Sequence, residues 1–125
     1  MRELVIPADA QAPVLTAELD GLSDWQHAVG GWVELVRLRD DVVLFCNEDG
    51  WLHGLELNGR ASMLAHDLGA PHWLAGDVLV FGWDAESCEC LDIPDELAST
   101  ILAHSGEASM ALGLQRDGRH PEVRS

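Results

Sequence analysis

The chain has 125 residues, enough for one domain, and its 47% hydrophobic fraction with five tryptophans calls for a packed core and not a disordered segment. It carries 22 acids against 7 bases, a formal charge of −15, and every base is arginine. A surface this negative repels phosphate backbones and argues against direct nucleic-acid binding. No apolar run reaches the length of a membrane-spanning helix, and the segment Met1–Pro13 lacks a long apolar signal core, which predicts a cytoplasmic protein.

The pattern of elements predicts an α+β domain over residues 1–105, followed by a flexible tail over 106–125. Glu3–Pro7 reads as a strand, and Ala12–Glu18 as its hairpin partner. Leu22–Val29 reads as a short helix; Ser23 and Gln26 have capping-box spacing and Gly30-Gly31 stops it. Trp32–Leu38 alternates as a strand, and Asp40-Asp41 turns the chain. Val42–Cys46 is apolar throughout, which predicts a central strand covered on both faces. Asn47–Gly50 reads as a hairpin turn leading into a strand over Trp51–Leu57, with Trp51, His53, Leu55 and Leu57 on one face. Asn58 is a candidate N-cap for a helix to about Leu68. Gly76-Asp77 opens the apolar strand Val78–Gly82, Ser87–Leu91 is a candidate edge strand, and Pro94 sits in the first turn of a last helix ending near His104. The expectation is a single twisted, mainly antiparallel sheet of about five to seven strands with about three short helices.

One ordered set of segments resembles a known family. A helix ends in Val29-Gly30-Gly31 and an extended Trp32-Val33-Glu34 follows. Next come Cys46-Asn47-Glu48-Asp49-Gly50, Leu55-Glu56-Leu57-Asn58-Gly59-Arg60-Ala61 and Ala75-Gly76-Asp77 leading into Val78–Gly82. The series, with a closing segment over Leu91–Leu97, is similar to the bacterial and phage family known as domain of unknown function 3846. The likeness covers about residues 2–104. Where that family usually has Leu-Pro before the asparagine, this chain has Glu56-Leu57. The resemblance carries no activity onto any residue. It implies a setting, that of a small accessory protein of a mobile element acting in the host cytoplasm.

No catalytic motif is present. Ser62 lacks a nucleophile-elbow context, and no phosphate loop exists in a chain without lysine. Cys88 and Cys90, with His66 and His72 upstream, are the one metal-like grouping, but C-x-C is tighter than zinc-knuckle spacing, so neither a metal nor any other cofactor is assigned. The histidines and tryptophans suggest a low-ranked pocket for a planar, nucleotide-like ligand, formed by Trp51, His53, Arg60, His66 and His72. From Ala61 to Gln115 the chain has nine acids and no base, and six of the acids fall between Asp84 and Glu96. The leading expectation is therefore a non-enzymatic protein that binds and modulates, by inhibition in its most concrete version, a host protein such as a defence or regulatory factor. Its expected interface comprises Trp73, an exposed Trp83, Asp84, Glu86, Glu89, Asp92, Asp95 and Glu96. The alternatives are a nucleotide-binding protein and an acidic DNA mimic. Homodimerisation through a sheet edge or the tryptophan-rich face is a further expectation.

Overall fold

A computed structural model describes residues 2–103, so the predicted tail over 106–125 lies outside the described residues. Six strands form one antiparallel sheet: β1 (Arg2–Ile6), β2 (Leu15–Glu18), β3 (Val33–Arg39), β4 (Val42–Asn47), β5 (Val78–Asp84) and β6 (Glu89–Leu91). The helices are α1 (Leu22–Val29), α2 (Gly59–Asp67) and α3 over 95–103. The strand order is β2-β1-β5-β4-β3, with β6 continuing along β5 beyond β1. The expected α+β class, strand number and helix number agree with this architecture.

The two apolar runs of the sequence occupy the interior of the sheet, and their alternation divides the core in two. Val42, Leu44 and Cys46 of β4 and Val78 and Val80 of β5 face α2 and α3, where Ala61, Ala65, Ile93, Leu97, Ala98 and Ile101 complete the larger cluster. Val43, Phe45, Leu79 and Phe81 face α1, where Val29, Trp25 and Ala28 close the smaller one. Trp25, Phe45 and Phe81 form an aromatic triad there, with ring centroids 4.8 to 5.4 Å apart. Covering on both faces accounts for the continuous apolar runs.

Two glycines are required by close approach. A Cβ on Gly82 would stand 2.2 Å from the Asp92 carbonyl oxygen where the chain leaves β6. A Cβ on Gly31 would stand 2.9 Å from Asn47 Nδ2, which donates to the Val29 carbonyl at the end of α1. Gly30, with φ of 81°, adopts the left-handed conformation that ends α1 in a Schellman turn, and the Gly31 N–H donates to the Gln26 carbonyl at 3.0 Å.

Three expectations fail. Trp51–Leu57 is not a strand. Both edges of β4 are already paired, with β3 and β5, so a chain returning beside it has no free ladder to join. The segment instead closes on itself in turns, His53 N–H to the Asp49 carbonyl and Leu55 N–H to the Gly50 carbonyl, and Leu57 alone bridges to Ala75. The capping box of α1 does not form, because Gly21 is the N-cap and no side chain caps the helix. The second and sixth strands are shorter than expected. Ala12 is held in a turn to Asp9, and Cys88 takes a positive φ of 58° before β6 begins.

Asn58 uses both ends of its side-chain amide. It is inaccessible to solvent. Its Oδ1 accepts from the Ala61 N–H, capping α2, and its Nδ2 donates to the Ile6 carbonyl at 2.8 Å and the Gly76 carbonyl at 2.9 Å. The Asn58 N–H donates to the Leu74 carbonyl, and its carbonyl accepts from Ser62. Asn58→Ala removes the cap and strands two buried carbonyls, so urea denaturation is expected to show a loss of about 2–4 kcal/mol. Asn58→Asp keeps the cap acceptor but loses both donations, and is expected to be destabilised at least as much.

Candidate functional site

The antiparallel topology gives the sheet two chemically different ends. At one end lie the start of β1, the β3–β4 turn, the β5–β6 turn and the start of α3. Asp40, Asp41, Asp84, Glu86, Glu89, Asp92, Asp95 and Glu96 gather there. At the other end lie the end of β1, the exit of α1 into β3, the turns after β4 and the loop into β5. Trp32, Trp51 and Trp73 gather there.

Three acids at the first end have structural duties. Asp84 Oδ1 accepts from the Glu86 N–H and organises the β5–β6 turn. Asp92 Oδ1 accepts from the Arg2 N–H at 2.7 Å, and Asp95 pairs with the Arg2 guanidinium. Together with the Ile93 N–H donating to the Arg2 carbonyl, these contacts fix the start of β1 to the lead into α3. Glu86, Glu89 and Glu96 are exposed.

Trp83, expected to be exposed beside the acids, is half-buried. It faces α1 with Phe81, and its register partner is Cys90. Alternation along β5 dictates this, because residue 83 shares the face of residues 79 and 81. Trp73 is exposed but precedes β5, whereas Asp84 closes it. At about 3.3 Å per residue, the seven-residue strand puts the two roughly 20 Å apart. The expected interface is therefore two surfaces at opposite ends of the sheet.

The expected ligand pocket separates in a similar way. Trp51 does meet Trp73, donating its indole N–H to the Trp73 carbonyl at 3.3 Å. His53, His66 and His72 are exposed, and His72 Nδ1 bonds its neighbouring Ala70 carbonyl. Arg60 reaches across to the Pro7 and Asp9 carbonyls. None of these five residues lines either of the two described hollows. Among the described residues no group of three or more His, Cys, Asp or Glu could hold a metal ion. Cys88 and Cys90 do not share a strand face: Cys88 lies exposed in the turn and Cys90 is half-buried on β6. Burial pushes the Cys46 thiol up to about 11 and raises that of Cys90, so both are poor nucleophiles at neutral pH.

At the tryptophan end Trp32 is 68% exposed, Trp51 56% and Trp73 76%, and Leu52 beside them is also exposed. Three of five tryptophans turned outward is far from the usual burial of this residue. The same end of the sheet holds a hollow of about 450 Å³, which none of the three tryptophans lines. Its walls include His27 and Gly30 of α1, Leu55 and Glu56 of the turn segment, and Asp9 and Asp77. Each tryptophan is joined to a wall through a few residues: Trp32 follows Gly30, Trp51 precedes Leu55 and Trp73 precedes Gly76. With three acids and one histidine the hollow is negative, and the carbonyl end of α1 adds to that potential. It suits a cationic group and repels a phosphate.

A second hollow of about 310 Å³ lies at the acidic end, between β1 and α3, lined by Arg2, Thr16, Ile93 and Asp95 among others. It is occupied at its rim by the Arg2–Asp95 pair.

Sequence reasoning missed one group. Glu3 is inaccessible to solvent, on the α1 face of β1, where its carboxyl has the Leu19 backbone and the Trp25 indole as polar neighbours but no hydrogen bond of good geometry. Burial pushes its pKa up to about 7, against the backbone at Leu19 and the Trp25 indole, which favour the charged form. A signal was present: Glu3-Leu4-Val5-Ile6 is apolar on both alternations after its first residue, as expected of a strand covered on both faces, so its glutamate had to point inward.

The family model described as domain of unknown function (DUF3846) matches residues 1–105. No curated protein and no solved structure is detectably similar to the chain. No helix among the described residues is long and apolar enough to cross a membrane.

The burial pattern predicts a split among the tryptophans. Trp73→Ala and Trp51→Ala are expected to shift unfolding stability by less than about 1 kcal/mol. Trp25→Ala, which opens the aromatic triad, is expected to lose about 3–5 kcal/mol in the same denaturation measurement.

Proposed function

From the premise that this chain belongs to the domain of unknown function family DUF3846, we propose that it is a non-enzymatic accessory protein of a phage or mobile element. It acts by binding a host protein, and thereby modulating it, through the tryptophan end of its sheet. The observation that carries this reading is the exposure of Trp32, Trp51 and Trp73 at one end of the sheet, the end that also holds an acidic hollow. Tryptophan is the residue most enriched among the anchors of protein interfaces, and an apolar patch rimmed by charge marks a docking surface more often than a bare monomer face.

The chemistry of the hollow specifies the partner's side. Asp9, Glu56 and Asp77 favour an inserted arginine or lysine, and the exposed indoles at the same end of the sheet offer apolar contact to the partner surface that carries it. The net charge of −15 favours the same partner at long range by steering a basic surface toward the domain. The acidic end contributes to steering, and the tryptophan end supplies the contact that slows release. A nucleotide-like ligand is disfavoured by the same features, because the hollow presents carboxylates where phosphates would need cations.

The test compares proteins retained from bacterial lysate by the wild type, by Trp51→Ala/Trp73→Ala and by Glu86→Gln/Glu89→Gln. A partner kept by the wild type and the acidic-end variant, and retained at least tenfold less by the tryptophan variant, is the expected outcome. Its association rate is expected to fall as salt rises. Retention that ignores the tryptophans and depends on the acidic end contradicts the assignment.

A further inference from the structure

The α1 face of the sheet carries a buried carboxyl, that of Glu3, with no hydrogen bond of good geometry to either oxygen, and two indole nitrogens, of Trp25 and Trp83, that also lack one. Trp25 and Trp83 pack on the same small core cluster with Cys90; the Trp25 indole faces the Glu3 carboxyl, and the Glu3 charge raises the Cys90 thiol. A carboxyl group buried beside an indole and a thiol is favoured as a neutral acid over the anion.

The element that closes this enclosure is a short helix held mainly by its packing on the sheet. Helix α1 has eight residues, no side-chain cap at its start, and Val29 as its one fully buried side chain. A helix this short depends on tertiary packing for its existence. Its first half carries Trp25 over Glu3, and its last residues His27, Ala28 and Val29, with Gly30, line the hollow at the tryptophan end. Whatever loosens Trp25 therefore moves a wall of that hollow.

We propose that α1 is a proton-controlled latch: with Glu3 neutral it lies closed on the sheet, and with Glu3 ionised it loosens and opens the hollow wall formed by His27–Gly30. The charged groups facing Glu3 set the direction. Glu18 on the neighbouring β2 and the Cys90 thiol on β6 oppose ionisation or are themselves opposed by it. The chain's amino-terminal charge favours ionisation. From α1 itself the facing group is the Trp25 indole, since Asp24 and His27 are exposed. Burial dominates, so the folded carboxyl titrates near 7 against an ordinary 4.5. A raised acid binds its proton more tightly in the folded state. Its stabilisation is complete below about 4.5 and is lost as pH rises through about 7. Regulation of docking rests on the function proposed above, but the latch itself is a property of the isolated protein and stands or falls without a partner.

The experiment measures amide-exchange protection factors for Trp25–Val29 at pH 5.5 and pH 8 in wild type, Glu3→Gln and Glu86→Gln. Protection in α1 is expected to fall by at least tenfold in wild type and Glu86→Gln, and to stay level in Glu3→Gln. Carboxyl carbon NMR of the wild type is expected to place the Glu3 midpoint well above that of the exposed glutamates, a readout that survives even if Glu3→Gln does not fold. A pH-independent α1, an equal fall in Glu3→Gln, or a Glu3 midpoint in the ordinary carboxylate range overturns the proposal.

Discussion

The structure depends on one buried amide. Asn58 stands where three segments converge: the end of β1 at Ile6, the start of α2 at Ala61 and the lead into β5 at Gly76. Each of these buried backbone groups is bonded by the Asn58 side chain, and a buried polar group left alone costs about 1–3 kcal/mol. A single side chain with one acceptor and two donors satisfies all of them. Serine or aspartate could cap α2, but neither could also donate twice. The requirement is for asparagine, and the loops that carry Trp73 and Leu55 are held in place by it.

That node also bears on the docking surface proposed above. Loops bearing large exposed indoles are under pressure to collapse onto the domain. Here the flanking backbone is already bonded: Leu74 to Ser62 Oγ and to Asn58, Gly76 to Glu56 and Asn58, and Gly50 to Asn47. The tryptophans are thus presented from anchored positions, which limits the ordering entropy that binding would have to overcome. The acids of the opposite end are used partly to close the sheet, through Arg2, and partly to charge the molecule.

Much of this was legible in the residues. Val42–Cys46 and Val78–Gly82 announce central strands because nothing polar interrupts them, and Asn58 announces a helix start because its side chain matches a cap. Trp51–Leu57 was illegible for a topological reason. Its alternation is that of a strand, but a strand needs a free edge, and whether β4 has one depends on β5 arriving from more than thirty residues later in the chain. The interface was half legible: the residue types pointed to tryptophans and acids, while the strand direction that sends Trp83 inward and separates Trp73 from Asp84 is a property of the assembled sheet. Glu3 shows the same limit, as its burial is complete only once the sheet acquires a helix on its second face.

The most direct test of the docking surface is fluorine NMR of the protein labelled with 5-fluorotryptophan, titrated with a partner that it retains from lysate. The five tryptophans give five probes distributed over both ends and the core. The account predicts that the resonances of Trp32, Trp51 and Trp73 shift or broaden together while that of Trp83 holds its position. A response confined to Trp83, with the three exposed indoles unmoved, would place the contact at the acidic end and contradict it.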